Sequence, residues 1–140
     1  MSYDPQNVFA KILRGELPCI KLYEDSQTLA FMDIMPQTDG HALIIPKEDA
    51  ATIFDLTPES LSATILVTQK IARAVKKAFS APGVLIAQTN GAAAMQSVPH
   101  LHFHVIPRRE GDAMRLHAVF QEDTEKLQKL ANEIITALDQ

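Results

Sequence analysis

The chain has one cysteine, Cys19, and no tryptophan among its 140 residues. A lone cysteine excludes an internal disulfide framework and any multi-thiolate zinc site. Lysine and arginine number 13 against 17 aspartates and glutamates, for a net charge of −4. That balance lacks the clustered cations of a nucleic-acid footprint, so no nucleic-acid partner is expected and any phosphate must be held by local donors. Eighteen apolar residues nowhere run together, and the opening MSYDPQNVFAKILRGELP has no basic region followed by a long apolar stretch. Neither a membrane span nor a secretory signal is expected, and the cytoplasm is the default compartment. Repeats, low-complexity tracts and linker-like Pro, Gly or Ser stretches are missing too. What is left is a chain 46% hydrophobic with mixed charge. Such a chain is expected to form one domain over 1–140, burying about 70% of its unfolded surface.

NVFAKILRG reads as a short helix, with Asn7 as N-cap and Gly15 as its stop. IKLYED and TLAFMDI read as two strands joined around Ser26, and HALIIP as a third whose pairing Pro46 ends. A long helix follows, with Thr57 as N-cap, Pro58 at its first position and Glu59 at the positive end of its dipole. Leu61, Ile65, Thr68, Ala72, Val75 and Phe79 recur at steps of three and four, predicting one buried stripe. APG ends that helix; VLIAQT and LHFHVI read as a fourth and a fifth strand. TEKLQKLANEIITALD, about 123–139, closes the chain as a helix with Leu127, Leu130, Ile134 and Leu138 on one face. Strands in adjacent runs, without regular alternation with helices, predict an α+β fold with a five-stranded, mainly antiparallel sheet.

Three of the five histidines fall within five residues: His100, His102 and His104 alternate with Leu101, Phe103 and Val105. On a strand, alternate side chains share a face, so the imidazoles would stand in a row roughly 6–7 Å apart while the apolar set anchors the core. A helix would scatter the rings. Three uses of such a row stand side by side. It could be a solvated face; it could hold a divalent metal with a further ligand from elsewhere; or it could perform covalent chemistry at phosphorus. In the last case a neutral imidazole attacks, neighbouring histidines disfavour each other's charged forms, and adjacent donors stabilise the phosphoryl oxygens.

HLHFHVIPR, preceded by TNGAAAMQSVP, resembles the signature of the histidine triad (HIT) superfamily of nucleotide hydrolases and transferases. The resemblance runs over roughly residues 5 to 110, taking in NVFAKILRGELPCIKLYED, LAFMDIMPQTDGHALIIPK and the Asn90-Gly91 turn. The start of the chain is similar to the Hint branch, whereas HVIPRREGD has a flavour of the Fhit branch. The resemblance implies the HIT-like fold and a homodimer whose sheet continues across the interface. It implies that His102 attacks the α-phosphorus of a purine nucleotide to form a nucleotidyl-histidine. His104 would hydrogen-bond phosphate oxygen and leaving group, while His100 and His41 would orient the nucleophile. Gln96 and Ser97 would hold phosphate and leaving-group atoms, Asn90 the phosphate or ribose region, and Asp33 the ribose hydroxyls. A carboxylate can accept from two adjacent hydroxyls at once, but Asp33 could equally be a turn residue at a strand end. Phe9, Ile12, Phe31, Ile34 and Leu43 match residues that sandwich the base, though each would also serve as ordinary core. His117 matches no motif and is expected at the surface; Arg108 and Arg109 are expected to be solvated, with one near a polyphosphate if that is the substrate.

Two departures stand out. Many bacterial relatives hold a structural zinc with a Cys-x-x-Cys pair, a His after PK and the first triad His; here Asn7, Ala10 and Asp49 replace the first three. No metal and no cofactor are expected. Met95 stands where the family usually has Gly before the Gln of its phosphate loop. Gly allows positive φ and close approach of backbone to an anion, so Met95 puts the geometry of that loop in question. The implied substrate is a nucleoside 5′-monophosphate carrying a leaving group, such as an AMP phosphoramidate. The alternatives are a dinucleoside polyphosphate and a nucleotide-binding module with vestigial activity.

Overall fold

The computed structural model describes residues 1–113 and 121–138. The expected helix α1 spans Val8–Leu13, and Asn7 caps it by accepting from the Ala10 N–H at 2.9 Å. Strands β1 (Lys21–Glu24), β2 (Thr28–Met32) and β3 (Ala42–Pro46) follow, then helix α2 (Pro58–Ala78), β4 (Gly83–Ala87), β5 (Phe103–Arg108) and α3 (Thr124–Leu138). The five strands form one antiparallel sheet in the order β1-β2-β3-β5-β4. The architecture is α+β, as the strand order along the chain predicts.

Every residue of β2 and β3 is buried, because both faces of the sheet centre are covered. On one face α2 and α3 pack over Ala30, Met32, Ile44, Phe103 and Val105. On the other, α1 brings Phe9 against Leu29, Phe31, Leu43 and Ile45. Strands buried on both sides read as continuous apolar runs rather than alternating ones, which is how TLAFM and ALIIP appear.

Three expectations need correction. The buried stripe of α2 runs through Thr64, Val67, Thr68, Ile71, Ala74 and Val75, while Ile65 is exposed and Leu61, Ala72 and Phe79 flank the stripe. Two threonines hide that face from a hydropathy reading: Thr64 and Thr68 donate their hydroxyls to the Ser60 and Thr64 carbonyls and so enter the core satisfied. In α3 the buried residues are Leu127, Ala131 and Ile134, with Leu130 and Leu138 at the margin. The last strand begins at Phe103 rather than Leu101. His100 lies in a bend, and the Leu101 N–H bonds the Ala50 carbonyl instead of a strand partner. The apolar side of the alternation holds: Leu101, Phe103 and Val105 all belong to the helix-covered core. His117 lies outside the described residues.

Candidate active site

Sheet register builds the floor of the site. Phe31 pairs with Leu43 and Leu43 with His104, so these side chains share the face away from α2. One step along, the Asp33 N–H bonds the His41 carbonyl at 3.0 Å, setting Asp33 beside His41 just beyond the ends of β2 and β3. A cavity of about 620 Å³ opens over this row. Its walls include Phe9, Ile12, Phe31, Ile34 and Leu43, and its polar end is formed by Asp33, His41, Ser97, His102 and His104. Residues that the sequence reading missed also line it, notably Val8, Leu17, Cys19, Met35 and Gln37. Leu17 and Cys19 follow the α1 turn in a segment without periodicity, so no pattern marked them.

Each imidazole is held in one tautomer. His102 Nδ1 lies 2.7 Å from the His100 carbonyl, which can only accept, so Nδ1 carries the hydrogen and Nε2 the lone pair. His102 is 5% exposed, and the edge of Phe9 packs on it with ring centroids 4.9 Å apart. His41 Nδ1 accepts from the Gln37 N–H at 3.0 Å, so its hydrogen is on Nε2, which donates to His104 Nδ1 at 2.9 Å. A neutral His104 that accepts at Nδ1 carries its own hydrogen on Nε2. The His102 and His104 ring centroids are 5.0 Å apart, closer than an ideal strand repeat.

Burial sets the protonation states. His102 is shifted below the usual imidazole range by burial, opposed by its hydrogen bond to the His100 carbonyl and helped by the nearby His100 ring. His41 is lowered to about 3 by burial together with His104 and His102. Burial raises Asp33 to about 6, opposed by the Met35 N–H that donates to its Oδ1 at 2.8 Å. Asp33 Oδ2 is 3.4 Å from His41 Nε2, but a neutral His41 makes this a long polar contact rather than an ion pair. At neutral pH His41 and His102 are neutral imidazoles and Asp33 is a carboxylate.

Three expected residues are brought elsewhere. His100 is fully buried outside the cavity, its Nε2 donating to the Pro46 carbonyl at 2.8 Å; because the strand starts only at Phe103, its ring leaves the expected row. Asn90 and Gln88 exchange amide hydrogen bonds of 2.7 and 2.8 Å, and Asn90 Oδ1 also accepts from the Ile53 N–H. Gln96 accepts from the Gly91 N–H and donates to the Ala51 and Val98 carbonyls. Asn90 and Gln96 thus brace the loop that carries Ser97 and do not line the cavity. Arg109 is exposed, as expected, and donates to the Phe79 and Ser80 carbonyls at the end of α2, whereas Arg108 is half-buried and paired with Asp112.

The questioned loop geometry is attained. Residues 92–94 form a single 3-10 turn; the Gln96 N–H bonds the Gly91 carbonyl and the Met95 N–H that of Ala92. This is the Schellman arrangement, whose penultimate position calls for a left-handed residue, and Met95 adopts φ 75° and ψ 23° there.

Asp33, His41 and His104 bring one ligand atom each within 4.8 Å of one another, close enough to consider a cation. The donor set does not suit one. A metal-bound imidazole donates its other N–H outward, but the other nitrogen of His41 faces the Gln37 N–H, itself a donor. At the positions compared with zinc-bearing relatives, Asn7 is spent on the α1 cap and Ala10 is a buried alanine, so that donor set does not fit a metal either.

Comparison with known proteins matches residues 14–111 to the HIT domain model. The chain belongs to the HIT domain family. The chain is 39% identical over 138 residues to the adenosine 5′-monophosphoramidase HNT1 of Saccharomyces cerevisiae, covering 97% of this HIT protein and 85% of the yeast one. It is 37% identical over 131 residues to the adenylylsulfatase HINT3 of Arabidopsis thaliana, 94% of this chain and 66% of that one. A crystal structure of a Hit-like protein from Bartonella henselae superposes with a TM-score of 0.92 at 47% identity, covering 98% of this chain and 99% of the other.

Proposed function

We propose that this HIT protein hydrolyses purine nucleotides at the α-phosphate, with AMP phosphoramidate-type compounds as substrates and a covalent intermediate on His102. The observation that carries this reading is the His102 tautomer. A main-chain carbonyl holds the proton on Nδ1, and burial keeps the ring neutral, so Nε2 offers a lone pair at a cavity wall. The yeast relative's name, a monophosphoramidase, points the same way.

The base lies between the apolar walls of Phe9, Ile12, Phe31, Ile34 and Leu43, and the ribose hydroxyls donate to Asp33. His102 Nε2 forms a bond to phosphorus as the bond to the leaving nitrogen breaks. His104 gives its Nε2 proton to that nitrogen; water then attacks the nucleotidyl-histidine and returns a proton to His104. The sum is AMP phosphoramidate plus water giving AMP plus ammonia. His41 holds His104 in the required tautomer, Ser97 donates to a phosphoryl oxygen, and Asn90 and Gln96 position the Ser97 loop.

Neither lysine nor arginine lines the cavity among the described residues, and Arg109 is committed to the end of α2. That favours a small, weakly charged leaving group over the long anion of a dinucleoside polyphosphate. Met95 in its left-handed conformation supports a competent loop over a vestigial one. We further propose a homodimer in the cytoplasm. β4 ends the sheet with Ile86 46% exposed, and Phe54 is 84% exposed next to Ile53, which bonds Asn90. An apolar sheet edge of this kind suits a self-complementary interface. A single cysteine suits a reducing compartment. Among the described residues no helix is long and apolar enough to cross a membrane.

The test is AMP release from an AMP phosphoramidate, with intact-protein mass spectrometry on the quenched reaction. Turnover with a nucleotidyl adduct, both lost in His102→Ala, is the expected result. A fully active His102→Ala would refute the mechanism.

A further inference from the structure

The N-terminal segment reaches across the fold to the triad. Tyr3 lies 97 positions before His100, yet its hydroxyl is 2.8 Å from His100 Nδ1. The other nitrogen of His100 must be the donor, because it faces the Pro46 carbonyl. Nδ1 of the neutral ring is therefore an acceptor, and the Tyr3 hydroxyl donates to it. The aromatic contact has the same sense: the Tyr3 and His100 rings meet edge-on with centroids 5.6 Å apart, and Phe9 lies near the same ring at 6.4 Å. His100 has no exposed surface, so no solvent reaches Nδ1 in place of that phenol.

His100 in turn supplies the carbonyl that receives the Nδ1–H of His102. The chain of contacts runs from phenol to first imidazole, through the backbone of residue 100, to the lone pair in the cavity. We propose that Tyr3 is a positioning residue for the nucleophile, its hydroxyl fixing the His100 ring and thereby the carbonyl that sets the His102 tautomer. This rests on the reading of His102 as the attacking group. Tyr3 itself is not a wall of the cavity.

The surroundings say what losing the hydroxyl does. Burial holds His100 below the usual imidazole range, opposed by the Pro46 carbonyl and by Asp49, and His102 is the next titratable ring; Asp49 and Arg14 both act on Tyr3, beside which Asn7 also lies. The phenol donates to the neutral ring and accepts from its cation, so its loss leaves Nδ1 without a partner in either state. A buried ring so deprived turns over in search of another partner, releasing the carbonyl from its fixed place.

The decisive variant is Tyr3→Phe in the full chain, which keeps the aromatic packing and removes only the donor. For AMP phosphoramidate, kcat is expected to fall about tenfold or more, the scale of a misoriented reacting group. KM should stay near the wild-type value, so the loss falls on kcat alone. ¹⁵N NMR of the imidazoles should show one tautomer each for His100 and His102 in the wild type and a mixture in Tyr3→Phe. Unchanged kcat and tautomers would overturn the proposal, even with a lowered Tm, since a merely structural tyrosine moves stability alone. Should the wild type turn over no phosphoramidate, the functional reading fails while the NMR comparison still decides the role of Tyr3.

Discussion

Replacing Met95 by glycine should leave this protein more stable than replacing it by alanine. Met95 occupies the left-handed position of the Schellman turn at φ 75°. For a residue with a Cβ that conformation costs about 1–2 kcal/mol. Glycine removes the penalty but gives back about 0.4–1 kcal/mol through a freer unfolded chain. The methionine is 43% exposed, so more than half of its surface is covered, and both variants lose that contact alike. The balance favours glycine over alanine by about 0.5–1 kcal/mol, or a Tm higher by roughly 2–3 °C for a chain of this size. Alanine is the proper reference, since it keeps the Cβ and the penalty while losing the same side chain. Urea melts of the two variants, read by far-UV circular dichroism, give the comparison. An alanine variant as stable as the glycine one, or more so, would refute the assignment of strain to this backbone angle.

Two further outcomes follow from the site. Asp33 has its pKa raised to about 6, so its carboxylate form is lost as pH falls through that value. KM for an adenosine nucleotide should rise below about pH 6 by this route, while the acid limb of kcat, set by the lowered His102, falls below the normal imidazole range; an Asp33→Asn variant should have a KM that no longer depends on pH there. Because the outer nitrogen of His41 faces a donor, chelator-treated protein should keep its full phosphoramidase rate, and a loss restored by adding zinc would contradict the tautomer assignment.

The sequence exposed the elements of this fold because most of them are locally signalled. Asn7, Thr57 and Pro58 mark helix starts through backbone groups that need partners, and the strands around Phe31, Leu43 and His104 are dense in apolar residues. The walls of the cavity and its polar end were legible chiefly through the resemblance, since a base-stacking Phe9 and a core Phe9 look identical along a chain. What stayed hidden depends on contacts made across the fold. Thr64 reads as polar until its hydroxyl finds the Ser60 carbonyl. His100 reads as a member of the row until β5 is seen to begin three residues later. Asn90 and Gln96 carry ligand-like side chains, but the loop spends their amides on itself. Tyr3 sits in a segment without periodicity, and only the folded path brings it to His100.

The acceptor that faces the buried nitrogen of His102 belongs to the main chain. No substitution at position 100 can delete an oxygen that every amino acid possesses, so mutation can shift where this acceptor lies but cannot remove it, as it could remove a carboxylate partner. The apolar walls of the cavity are ordinary side chains without such protection, and drift there can retune what the cavity accepts while the acceptor facing His102 persists.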